Sequence, residues 1–134
     1  MGIIVDADVI IRGEKGDFDF RAWVATEPEE SFAIAAITVA ELWHGVERAA
    51  SSHRSKRKHY LQAILSVLPI LTYTERTAYL HAKLWAKLQA TGQMIGYYDL
   101  LVAATALELD YRVATFNARH FKLVPGLKVI QPSG

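Results

Sequence analysis

A chain of 134 residues with 51% hydrophobic and 22% charged side chains has the length of one domain that buries its own core, far from the polar, highly charged compositions that stay unfolded. It has no cysteine, which excludes disulfide frameworks, thiolate metal sites and cysteine nucleophiles, and a formal net charge of +1 is too near zero to mark a nucleic-acid binder by itself. No apolar run approaches the roughly 18 to 20 residues of a membrane span, and Ile3-Ile4-Val5 meets Asp6 without a basic leader, so a cytoplasmic protein off the membrane is expected.

In chain order, Ile3-Ile4-Val5 is a β-branched apolar run, followed after Asp6 by Val9-Ile10-Ile11. It reads as a buried strand that delivers an acid at its C-terminal end. A loop over 13–17 is expected next, then a short helix over 18–26 closed by Pro28, then a small-residue buried strand over 32–37. Thr38-Val39-Ala40-Glu41 has the form of a capping box. It starts a predicted helix to about Ala50 and places Glu41 in the first turn.

Helical periodicity covers 54–68 and 75–91, with a strand candidate at Pro69-Ile70-Leu71 between them and Gly92 as a stop. The next helix begins near Asp99 and is so apolar through Leu107 that packing on more than one side is expected. Residues 112–115 and 127–130 read as the last strands. Alternating strands and helices predict a single α/β domain over 1–134, three layers deep, with a mostly parallel central sheet. Its ligand edge is the carboxyl ends of the strands, where the strand order reverses.

Asp6, Glu41 and Asp99 all fall at element boundaries on that edge. Each has an ordinary use as well: Asp6 as a turn cap, Glu41 as half of a capping box, Asp99 as an N-cap. Together, three carboxylates without Arg or Lys beside them in sequence repel one another unless a cation joins them. Oxygen-only ligands suit Mg²⁺ or Mn²⁺ rather than zinc.

At these positions the chain resembles the PIN-domain ribonucleases. Ile4-Val5-Asp6-Ala7-Asp8-Val9-Ile10 is similar to the family's opening, and Ile37-Thr38-Val39-Ala40-Glu41-Leu42 with Gly45 to its second motif. The most specific stretch is Ile95-Gly96-Tyr97-Tyr98-Asp99-Leu100-Leu101-Val102-Ala103-Ala104-Thr105-Ala106, which resembles the third. Residues 114–121 and 124–127 resemble the closing region of VapC-type toxins within that family.

The resemblance implies a PIN-like fold and a Mg²⁺- or Mn²⁺-dependent endoribonuclease, the toxin of a type II toxin–antitoxin pair. It also implies homodimerisation and inhibition by a small VapB-like antitoxin. Asp6, Glu41 and Asp99 would be the metal ligands, with Asn117 beside them and Asp8 and Thr115 as accessory groups. Two positions depart from the family's habit: Ala7-Asp8 stands where many relatives carry a hydroxyl and then Asn or Ser, and Asn117 stands where a fourth acid often appears.

The basic residues are unevenly placed. Arg48, His53, Arg54, Lys56, Arg57, Lys58 and His59 crowd one segment and read either as an RNA-binding face or as a solvated helix surface. Arg119 and His120 are either phosphate contacts or an exposed loop pair. Tyr97 and Tyr98 read as base-stacking or packing groups, and Trp43, Trp85, Tyr79 and Leu88 as core or subunit contacts. Two rival functions remain open. Asp6-Ala7-Asp8-Val9 also resembles the opening of haloacid-dehalogenase-type phosphatases, and a PIN-like fold can serve as a catalytically idle RNA- or protein-binding module.

Overall fold

The computed structural model describes residues 2–133. Its centre is strand β1 (Gly2–Val5), in which Ile3, Ile4 and Val5 are wholly buried. Such complete burial needs cover on both faces, and the alternation of side chains supplies it. Ile3 and Val5 join one core cluster, Ile4 the other. Around it lie β2 (Ser31–Ala35), β3 (Ile70–Leu71), β4 (Arg112–Ala114) and β5 (Val129–Ile130), all parallel, in the order β3-β2-β1-β4-β5.

Four helices cover one face: α1 (Ala7–Lys15), α2 (Phe20–Ala25), α3 (Ala36–Arg48) and α4 (Ser51–Leu65). The other face carries α5 (Glu75–Ala90), α6 (Tyr97–Leu109) and α7 (Ala118–Phe121). The expected three-layer α/β/α architecture is therefore present, with a sheet that is parallel throughout. Helix α6 explains its own composition, since Leu100 and Val102 to Ala106 are all buried between the sheet and its neighbours.

The order of strands places the switch point between β1 and β4. The chain moves outward from β1 through β2 to β3, then returns to the other side of β1. Two loops thus diverge above adjacent strands and leave a crevice at their carboxyl ends.

Several boundaries differ from the sequence reading. Residues 13–15 extend α1 instead of forming a loop, and the helix stops at Gly16, whose φ of 83° is the left-handed conformation glycine adopts without Cβ strain. Val9, Ile10 and Ile11 belong to this helix and not to the strand. Strand β2 ends at Ala35, so Ala36 and Ile37 open α3. Thr38 is consequently inside that helix, fully buried, and no capping box forms there. A capping box does form at α5, between Thr74 and Thr77.

Candidate functional site

Four acids surround the crevice at the switch point. Asp6 follows β1 directly and caps α1, its Oδ1 accepting from the Ala7 amide at 2.9 Å and its Oδ2 from the Thr115 hydroxyl at 2.8 Å. Thr115 follows β4, so the hydrogen bond links the two strands that flank the switch point. Asp8, in the first turn of α1, accepts from the Phe116 amide at 3.1 Å and from the same Thr115 hydroxyl at 3.3 Å. The Thr115 oxygen in turn accepts from the Asn117 amide at 2.9 Å.

Glu41 comes from the second turn of α3 rather than the first, because that helix starts at Ala36. Asp99 lies in the first turn of α6, whose N-cap is Gly96, so it is not the cap itself. Both ordinary uses expected for these two acids are thereby removed. Glu41 keeps a buried Oε1 with no hydrogen-bond partner, an arrangement that costs free energy unless something else meets it. Asp99 faces His120, whose Nδ1 stands 3.8 Å from its Oδ2, and Asn117 Nδ2 meets the same ring nitrogen at 3.1 Å.

The electrostatics tie the four together. Burial raises the Asp6 carboxyl, and the charge of Asp99 adds to it, against the opposing hydrogen bonds from Thr115 and Ala7. Asp8 is pushed up to about 6 by burial and by Asp6. Glu41 is pushed up to about 7 by burial and then by the charges of Asp6, Asp99 and Asp8. Asp99 is raised by burial and by Asp8, with His120 opposing. Every one of them is harder to ionise than a free carboxyl, so the folded chain holds a concentration of negative charge that a cation would relieve.

Among the described residues, no three acidic or histidine side chains close into a ready coordination shell as they stand. The donor set is nonetheless oxygen-rich and free of thiolates, and the unbonded Glu41 oxygen supplies a ligand atom without a competing role.

The remaining expected residues divide. Tyr97 and Tyr98, 70% and 53% exposed, line a cleft of about 370 Å³ together with Glu41, Gly96 and Asp99. Arg54 instead donates to the carbonyls of Glu47 and Ala49 at the end of α3. Arg57 pairs with Glu14 at 3.2 Å and donates to the Gly45 carbonyl. Both therefore have structural work, while Lys56, Lys58 and Arg119 are exposed.

Sequence reading passed over Arg12. Its guanidinium lies 4.3 Å over the Phe116 ring and attracts Asp8. The signal was available as the four-residue spacing from Asp8 to Arg12 on one helix.

The sequence profile of the PIN domain family matches residues 3–127. A ribonuclease VapC from Rickettsia bellii is 32% identical, over 97% of this chain and 96% of its own. Ribonuclease VapC1 from Rickettsia felis is 31% identical, over 99% of this chain and 98% of its own. Among solved structures, VapBC2 from Rickettsia felis bound to a promoter DNA fragment superposes with a TM-score of 0.90 at 23% identity, covering 99% of this chain and 100% of that one, a likeness of fold. The family match removes the phosphatase alternative, and the hydrogen bonds of Asp8 to Phe116 and Thr115 give that residue a different setting.

Proposed function

The chain belongs to the PIN-domain family, and on that footing we propose that it is a divalent-metal-dependent endoribonuclease, the toxin of a type II pair whose antitoxin is a small VapB-like protein. Its close relatives are named ribonuclease VapC, and a fold neighbour is a VapBC complex. The observation that carries the reading is the convergence of four carboxyls that raise one another, one with a buried oxygen left unbonded.

Asp6, Glu41 and Asp99 would hold Mg²⁺ or Mn²⁺, with Asn117 at the margin acting through its amide oxygen or through water. Bound there, the cation would supply positive charge against the scissile phosphate and acidify the attacking water. The protein's own contribution is positional. Thr115 fixes one oxygen of Asp6 and holds Asp8 beside it, and the Ala7 amide fixes the other Asp6 oxygen. His120, steadied by Asn117, sets the direction of Asp99. Such supporting contacts typically govern affinity and activity by one or two orders of magnitude.

Without a compensating cation, the same four acids exclude an anionic RNA. The proposal extends to one PIN-like domain across residues 1–134, a homodimer, and residence in the cytoplasm. No helix among the described residues is long and apolar enough to cross a membrane. The test is incubation of a mixed RNA pool with the purified protein in Mg²⁺, in Mn²⁺ and in EDTA. Cleavage only with a divalent ion supports the proposal. Activity undiminished in EDTA overturns the metal mechanism, and no cleavage under any condition leaves the idle binding module as the better reading.

A further inference from the structure

We infer that a second cavity, next to the acidic cleft, is a nucleobase subsite that takes one unstacked base of the RNA flanking the cleaved phosphate. The inference rests on the ribonuclease reading and deepens it.

The cavity measures about 340 Å³ and is lined by Trp85, Gln89, Gln93, Met94, Tyr97 and His120, among others. It shares Gly96 and Tyr97 with the cleft that holds Glu41 and Asp99. A nucleotide whose phosphate lies at the acids therefore has its neighbouring base within reach of the cavity. That continuity selects a base of the same strand as the occupant.

The chemistry of the lining agrees. Trp85 and Tyr97 are 43% and 70% exposed, and their rings meet edge to face at 6.0 Å. Large aromatic groups left in water in a cavity beside an acidic cleft are unusual, because burying them is favourable. Single-stranded nucleic acids use such rings as stacking platforms, whatever the base.

Trp85 is also oriented in advance. His81 stacks on it at 5.8 Å with an interplanar angle of 16°, and the His81 Nδ1 is held by the Tyr73 hydroxyl at 2.9 Å. A ring already fixed by its neighbours loses little conformational freedom on binding. Gln89 and Gln93 add carboxamides, which pair a donor and an acceptor as base edges do. The Gln93 oxygen accepts from the Thr91 hydroxyl, which sets the direction of that side chain.

The experiment uses a short single-stranded RNA that the full chain cleaves at one bond, with an abasic nucleotide walked through it one position at a time. A base in the subsite makes kcat/KM fall roughly ten- to hundredfold at one position beside the cleaved bond, the range expected from losing one base–aromatic stack. In Trp85→Ala and Tyr97→Ala that positional penalty should shrink toward the background of the other positions, with melting temperatures near the parent's.

Binding of the same RNA set to the Asp6→Asn variant, read by fluorescence anisotropy, repeats the comparison without turnover. If the flanking positions tolerate abasic substitution equally, the subsite is overturned while the nuclease stands. If Trp85→Ala leaves the positional penalty intact and lowers the mass in solution, the face is a contact with a second copy and the inference is wrong. If the parent cuts no RNA at all, the nuclease reading fails and the subsite, defined by the cleaved bond, falls with it.

Discussion

Replacing Glu41 by Gln separates a metal ligand from a structural acid because the structure has removed its capping role. Its carboxyl moves from 4.5 to about 7 on folding, through burial and the charges of Asp6, Asp99 and Asp8. At about 1.36 kcal/mol for each step of one in pKa, the shift corresponds to at most ~3.4 kcal/mol. Water in the adjoining cleft screens part of it and leaves about 1–2 kcal/mol.

The sign follows from proton binding. A folded value above the unfolded one means the folded state holds more protons between about pH 4.5 and 7. Stability is therefore greatest below that window and declines as pH rises through it. In chelator at pH 8, Glu41→Gln should melt about 5 °C above the parent, and at pH 4.5 the two should nearly coincide. Added Mg²⁺ should stabilise the parent at pH 8 more than the variant, and cleavage by the variant should drop at least about a hundredfold. Thermal melts followed by near-UV circular dichroism, with an RNA assay on the same samples, read all of this. A variant that melts no higher than the parent at pH 8 and cleaves as well as it does would refute the reasoning.

Asp6→Asn and Asp99→Asn should each lose nearly all cleavage while staying folded, since Asn at 6 keeps the oxygen that accepts from the Ala7 amide and turns the group facing Thr115 into an NH2 that can donate to the hydroxyl oxygen; circular dichroism with a cleavage assay decides it. Thr115→Val keeps the shape of a wholly buried side chain but strips partners from Asp6, Asp8 and the Asn117 amide. It should cost about 1–3 kcal/mol in stability and ten- to hundredfold in activity, measured by denaturant melts and initial rates, with Thr115→Ser close to the parent. Expression of the chain alone should arrest bacterial growth, and co-expression of the small protein encoded beside it should restore growth; colony counts show which happens.

The architecture was legible because its strongest signals are local and mutually consistent. Ile3-Ile4-Val5 reads as a strand covered on both sides, and the apolar stretch after Asp99 as a helix packed on several sides; both are so. Boundaries were less legible where two motifs compete for the same residues. Thr38 and Glu41 carry the capping-box spacing, yet β2 ends at Ala35 and the helix has already begun, so the hydroxyl is buried without a partner. That end pairs with the neighbouring strand β3, Ala35 opposite Leu71, and such pairing is invisible in a local window.

That displacement also explains why the acids read more clearly than their surroundings. A helix whose cap, Ala35, lies three residues before the apparent cap carries Glu41 one turn further along, where its carboxyl feels Asp6, Asp8 and Asp99 instead of its own backbone. The identity of the acids follows from their rarity after buried strands, whereas their grouping depends on the parallel order β2-β1-β4, which lays Asp6 beside Thr115 across 109 residues of sequence. Basic residues obey the opposite logic. Arg54 and Arg57 look like an RNA face in sequence, but a long guanidinium near a helix end finds carbonyls or a carboxylate first, as both do here. Arg12 follows the same rule, laid over Phe116 with the Asp8 carboxylate as its partner.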